Sequence, residues 1–184
     1  MASYSIAVIP GDGIGQEVVP AAMRVVDAAG RHFGFECRWT SFDWGCERYA
    51  RTGQMMPEDG LEQLRRHDAI FLGAVGYPGV PDHVSLWGLL IPIRRAFGQY
   101  INLRPVRLLP GVRSPLADRG PDEIDFVVVR ENNEGEYSEI GGRLYRGTDD
   151  EMAVQQAVFT RRGVDRVLRY AFDLARRRPA RHLT

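Results

Sequence analysis

Apolar residues along the chain fall into short continuous runs separated by stretches that repeat every three to four positions, a pattern that predicts buried strands alternating with amphipathic helices. The run from Ser5 to Pro10 reads as a buried strand, the GDGIG behind it as a turn, and the segment from about Gln16 to Phe33 as a helix. A second extended segment covers Glu36 to Phe42. A polar helix follows around Cys46 to Arg51, and MPEDGLEQLRRHD reads as a helix begun by Pro57 and its acids. AIFLGAVG is an apolar strand running into glycines. After the proline-rich YPGVPDHV, Ser85 is placed to cap a helix reaching about Phe97, with a kink expected at Pro92. Strands and helices alternating in this order predict a parallel α/β sheet.

Near Tyr100 the text becomes strand-rich: YINLRPVRLL, IDFVVVR, the hairpin-like IGGRLYRG and AVQQAVFT. This predicts a first α/β unit over residues 1–99 and a second, strand-rich unit over residues 100–184, both incomplete. Arg161 to Arg178 is amphipathic, with Val164, Val167, Leu168, Ala171, Phe172 and Ala175 on one stripe and Pro179 as its stop. A strand normally follows a helix in such a unit, so ARHLT reads as a strand that begins and is cut off.

Composition then narrows the chemistry. The 184 residues carry 24 basic and 24 acidic side chains, a formal net charge of zero, so no overall field draws the chain to nucleic acid or to an anionic membrane. No stretch approaches the roughly 20 apolar residues of a membrane span, and the N-terminus lacks a secretory pattern, which predicts a cytoplasmic protein. Every basic residue is arginine, so this stretch supplies no lysine base, Schiff base or phosphate-gripping lysine. Cys37 and Cys46 match neither CxxC nor a disulfide framework, and the four histidines share no metal spacing.

Four residues stand apart from ordinary surface charge: Arg94, Arg104, Arg130 and Tyr137. Arg104 lies where an extended apolar run meets a proline, and Arg130 closes IDFVVV, so each guanidinium is expected at the end of a strand. A guanidinium stays charged and offers a rigid donor fork that fits carboxylate oxygens two at a time, and a phenol seven residues beyond Arg130 would be a proton donor. Together they suggest a small, doubly negative substrate. GDGIG and GAVG each read as a phosphate- or ligand-facing turn or, equally, as a bare strand-end turn. Glu131, Glu134 and Glu136 are expected in a solvated loop rather than around a cation.

IPGDGIGQEV, FLGAVG, the helix with Arg94, NLRP, VRENNEGEY and FTRRGVDRVLRYAFDLARRRP run in order through the chain and resemble the metal-dependent β-decarboxylating dehydrogenases, the isocitrate and isopropylmalate dehydrogenase family. FDWG, MMPEDGLEQL, PDHVSLWG and FGQY are most similar to its D-malate and tartrate dehydrogenase branch. The resemblance implies an isopropylmalate dehydrogenase-like α/β fold, truncated here, and oxidative decarboxylation of a 2-hydroxy diacid with NAD and Mg2+ or Mn2+. It implies that Arg94, Arg104, Arg130 and Leu90 bind the substrate, that Tyr137 is catalytic, and that Ala74, Val75, Gly76 and Trp87 line the nicotinamide end of the cofactor. Trp87 stands where isopropylmalate enzymes carry an acid, and Asn133 where threonine is usual. The resemblance further implies a homodimer whose intersubunit arm is the region from GGRLYRG to AVFT. Family members are about twice as long, with a catalytic lysine and the metal-binding aspartates beyond residue 184, so this stretch alone is expected to be inactive. The competing expectation is a non-catalytic fragment serving as an anion-binding or dimerisation module.

Overall fold

The apolar run at the N-terminus becomes the middle strand of a parallel sheet. In this computed structural model, which describes residues 2–184, strand β1 (Ala2–Gly11) is flanked by β2 (Phe35–Ser41) and β3 (Ala69–Ala74) in the order β2-β1-β3, all parallel. A strand covered on both faces has no polar side, and Ala7, Val8 and Ile9 are all fully buried. Each large side chain of that kind contributes about 1.5–3 kcal/mol.

Helix α1 (Gly15–Phe33) links β1 to β2 and buries Val19. It stops where Gly34 takes a left-handed conformation (φ 80°) and donates its N–H to the Gly30 carbonyl at 2.9 Å. Helices α2 (Cys46–Thr52) and α3 (Gly60–Leu64) lead into β3. The second is shorter than MPEDGLEQLRRHD suggested, because Gly60 is wedged against Met56 and Trp44 and the chain turns again after Leu64.

The helical stretch beyond β3 corrects the expectation for Ser85. Helix α4 (Asp82–Ser85) begins after an extended Pro81, and the Ser85 hydroxyl donates back to the Asp82 carbonyl at 2.9 Å instead of capping. A π-helical turn (Leu86–Leu90) and then α5 (Ile91–Ala96) continue it. The wide turn falls immediately before Pro92, whose missing N–H cannot serve the carbonyl four residues earlier, so the expected kink takes the form of a register slip.

The chain divides at Ala96 and Phe97. In the second unit, β4 (Ile101–Arg107) pairs antiparallel with β5 (Asp125–Glu131), and β6 (Gly135–Leu144) with β7 (Met152–Val158). Helix α6 (Arg161–Arg177) packs on β5. Its N-cap is Thr160, whose hydroxyl accepts from the Gly163 N–H at 3.0 Å. Among the described residues no helix is long and apolar enough to cross a membrane.

Candidate active site

Register decides which side chains of the β4–β5 ladder share a face. Arg104 lies opposite Val128 and Asn102 opposite Arg130, and side chains two residues apart on a strand point the same way. Arg104 and Arg130 are therefore diagonal neighbours on one face, with Cβ atoms roughly 7–8 Å apart, and Asn102 lies between them. The other face belongs to α6: Glu131, one residue on from Arg130, sits 3.7 Å from the Arg166 guanidinium.

Arg130 meets Tyr137 directly. Its Nη2 donates to the phenolic oxygen, and its guanidinium carbon stands 5.3 Å from the ring centroid. Accepting from the guanidinium fixes the orientation of the phenol. Among the described residues nine other arginines, Arg48, Arg51, Arg65, Arg119, Arg143, Arg161, Arg166, Arg176 and Arg178, lie within 4 Å of an acid. Within the unit neither Arg104 nor Arg130 has a carboxylate partner. Two guanidiniums without a carboxylate partner on one sheet face have the donor chemistry to take an anion.

Glu131 and Glu134 are not loose acids in a solvated loop, and here the sequence expectation is corrected. Glu131 accepts from the backbone N–H of Asn133 at 3.0 Å and of Glu134 at 2.7 Å, folding its own carboxylate over the turn that follows β5. Glu134 accepts from the N–H of Thr160 at 2.8 Å and from its hydroxyl at 2.6 Å. Those bonds from Thr160, against the opposing effect of burial, hold the Glu134 carboxyl below its ordinary pKa. Both carboxylates fix the seven-residue path from Arg130 to Tyr137. Asn133 takes part through its backbone N–H, so a residue other than the usual threonine leaves the turn intact. Asn132 completes the clamp, donating its N–H to the Tyr100 carbonyl at 3.1 Å and its side-chain amide to the Gln99 carbonyl at 3.0 Å.

The remaining candidates belong to the first unit. Leu90 closes the π-helical turn and half-buried Arg94 lies on α5; Trp87 sits within the turn, with the Arg95 guanidinium 5.3 Å from its ring centroid. Ala74, Val75 and Gly76 leave the end of β3 beside GDGIG. The Asp12 N–H donates to the Ala74 carbonyl at 2.6 Å, and the 2 % exposed Asp12 carboxylate accepts from the N–H groups of Cys46, Glu47 and Gly76 at 3.0, 3.0 and 3.1 Å. Burial opposes charge on Asp12, yet these donors outweigh it and lower the pKa. Within GDGIG itself the Asp12 and Gly15 N–H groups are already given to the Ala74 and Asp12 carbonyls, and a buried carboxylate sits beside them, which favours the bare-turn reading of GDGIG. Sequence reasoning missed Asp12 because its partners lie 34, 35 and 64 residues away.

Among the described residues no three His, Cys, Asp or Glu side chains group to hold a metal ion.

The model of the isocitrate/isopropylmalate dehydrogenase family matches residues 5–184. The chain belongs to that family. It is 58 % identical over its full length to the D-malate dehydrogenase [decarboxylating] of Escherichia coli K12, and 54 % identical over 99 % of its length to the tartrate dehydrogenase/decarboxylase of Pseudomonas putida. It spans about half of each, 52 % and 50 %. The crystal structure of isocitrate dehydrogenase from Methylococcus capsulatus superposes with a TM-score of 0.76 at 31 % identity, over 95 % of this chain and 48 % of that one. The α/β architecture expected from the sequence is thus the architecture of the family. Within it, Asn102, Glu131, Glu134 and Thr160 are the neighbours that the motif reading of Arg104, Arg130 and Tyr137 did not supply. Thr160 carried a visible signal, a hydroxyl immediately before an amphipathic run.

Proposed function

We propose that this chain is the N-terminal portion of an NAD-dependent enzyme that oxidatively decarboxylates a small 2-hydroxy dicarboxylic acid, D-malate or tartrate. One observation carries the reading: Arg104 and Arg130 share a ladder face without a carboxylate partner in their unit, and one of them grips the phenol of Tyr137. A diacid supplies the missing negative charge. The forked donors hold its carboxylates and orient the departing one without ever becoming acids themselves. Arg94 and Leu90 complete the substrate's contacts in this proposal, and the Ala74–Gly76 loop with Trp87 receives the nicotinamide.

In the reaction NAD, when bound, would take the hydride from the hydroxyl-bearing carbon as the hydroxyl gives up its proton, and the carboxylate on the neighbouring carbon, now β to the new carbonyl, would leave as CO2 with its electron pair passing into an enolate. The electron pair of the broken carbon–carbon bond must then be protonated. Tyr137 is the donor, oriented by Arg130 and held in place through Glu131 and Glu134. Mg2+ or Mn2+, held by residues outside this stretch, would supply charge stabilisation when bound. Cys37 and Cys46 are both free thiols, in keeping with a reducing cytoplasmic setting. Ile140, Leu144, Met152 and Val154 share one exposed face of the β6–β7 hairpin, which we assign to contact with a second copy of the chain.

The test uses the full gene product with D-malate or tartrate, NAD and Mn2+, following NADH. Arg104→Gln should raise the KM of the diacid at least about tenfold, and Tyr137→Phe should lower kcat while leaving KM near the parent value. Parent-like turnover in both variants, or no turnover of either diacid by the parent, overturns the assignment.

A further inference from the structure

Asp12 carries no role in the chemistry just described, yet it is among the most deeply buried charges in the first unit and is bonded to three segments at once. Its Oδ2 takes the Cys46 and Gly76 N–H groups, its Oδ1 takes that of Glu47, and its own N–H donates to the Ala74 carbonyl. A Cβ on Gly45 would come within 2.8 Å of Oδ1, so the start of α2 is shaped around this carboxylate. Asp12 therefore pins the end of β1, the first turn of α2 and the loop after β3 to a single point.

The bond to Gly76 has a directional consequence. In a trans peptide the N–H and the carbonyl of the same amide point in opposite directions. With the Gly76 N–H drawn to Asp12, the Val75 carbonyl of that amide faces away from the carboxylate. Among the described residues it accepts no backbone hydrogen bond outside the regular elements, whereas the Ala74 carbonyl beside it does. Gly76 is exposed, with open space where a Cβ would stand. The loop presents a fixed, lone acceptor.

We infer that Asp12 is a positioning residue that orients the Val75–Gly76 amide so that the Val75 carbonyl accepts a hydrogen bond from the carboxamide N–H of the nicotinamide ring. This deepens the dehydrogenase reading and rests on its assignment of the Ala74–Gly76 loop to the cofactor. The ligand chemistry is a primary amide donor. A ring bearing an acetyl group in place of the carboxamide cannot make this bond.

That difference supplies the experiment. Binding of NAD and of its 3-acetylpyridine analogue is measured calorimetrically on the full gene product, the parent against Asp12→Ala, with diacid affinity as an internal control. The parent should favour NAD by about tenfold, the scale of one hydrogen bond made without compensation. Asp12→Ala should erase that preference, weakening NAD while leaving the analogue and the diacid within about twofold, well below one such bond. Should Asp12→Ala fail to fold, Gly76→Pro removes the one N–H that ties the loop to Asp12 while sparing the bonds from Asp12 to α2, and should likewise erase the preference. Gly76→Ala, which keeps that N–H, should retain it. A variant that weakens both dinucleotides equally, or a parent with no preference, overturns the positioning role. A parent that binds neither dinucleotide removes the dehydrogenase reading beneath it.

Discussion

Replacing Gly163 with alanine sets two effects against each other within one turn of α6. Alanine is favoured over glycine in a helix by about 1 kcal/mol, and in the first turn by at most that amount. The new methyl group, however, would occupy the space of the Glu134 carboxylate, overlapping both oxygens and their carbon. Glu134 would have to swing out and give up the Thr160 N–H at 2.8 Å and the Thr160 hydroxyl at 2.6 Å. Bonds to an ionised acceptor reach ~1.5–3 kcal/mol when buried, and the exposure of this pair brings each nearer ~1 kcal/mol. About 2 kcal/mol lost against at most ~1 kcal/mol gained leaves Gly163→Ala destabilising by about 1 kcal/mol.

The sign should reverse once the carboxylate is gone. In a Glu134→Ala background the methyl displaces nothing, and Gly163→Ala should stabilise by up to ~1 kcal/mol through helix propensity alone. Urea unfolding of the four proteins closes the cycle, with an expected coupling of about 2 kcal/mol between the two positions. A Gly163→Ala protein more stable than its parent would show that the Glu134–Thr160 clamp contributes nothing. The account of how Tyr137 is held would then lose its main support.

Two further outcomes follow from buried groups. The Asp12 carboxyl titrates below its ordinary value in the folded chain, so the stability it contributes is fully present above the unfolded value, near pH 4, and fades as the pH falls through the lower folded value. Melting temperature recorded from pH 7 down to about 2 should drop less steeply in Asp12→Asn than in the parent over that acid window, and parallel curves would contradict the linkage. The Cys46 thiol is pushed up to about 11 by burial and then by its bond to Asp12, whereas Cys37 is only half-buried. A chromogenic disulfide reagent at mildly alkaline pH should therefore modify Cys37 in the folded protein and reach Cys46 only on unfolding, with peptide mapping to identify the sites.

What could be read in the sequence was set by locality. The 3.6-residue stripe of α6 and the apolar run of β1 depend on neighbours within one turn or one strand, and both formed where periodicity placed them. Ser85 was ambiguous because a hydroxyl near a helix start can cap forward or bond backward, and only the extended Pro81 settles which. The π-helical turn before Pro92 leaves no compositional trace, since a register slip changes which carbonyl is used rather than which residue is present. Arg104 and Arg130 were recognisable as strand-end cations. That they face the same way depends on the β4–β5 register, which pairs Arg104 with Val128. A slip of one residue would have turned one of them towards α6.

The acids were least legible, and their placement explains the arginines. Glu131 faces Arg166 on the other side of the ladder, and Asp12 and Glu134 are turned onto backbone amides of other segments, so none of the three reaches Arg104 or Arg130. An acid spent on backbone donors fixes a loop and leaves a cation uncompensated elsewhere. Arg130 keeps only a phenol and Arg104 no anionic partner within their unit, so the rigidity of the turn and the unmet charge beside it share one cause. Replacing Val128, which lies across from Arg104 and two residues before Arg130, with glutamate should supply that missing anion internally. Val128 is exposed, so the substitution should leave the fold intact. In the full gene product Val128→Glu should weaken diacid binding at least about tenfold by competing for both guanidiniums, and Val128→Gln, of the same shape without the charge, should not. Equal binding by the two variants would mean that the uncompensated charge on this face is not what holds the diacid.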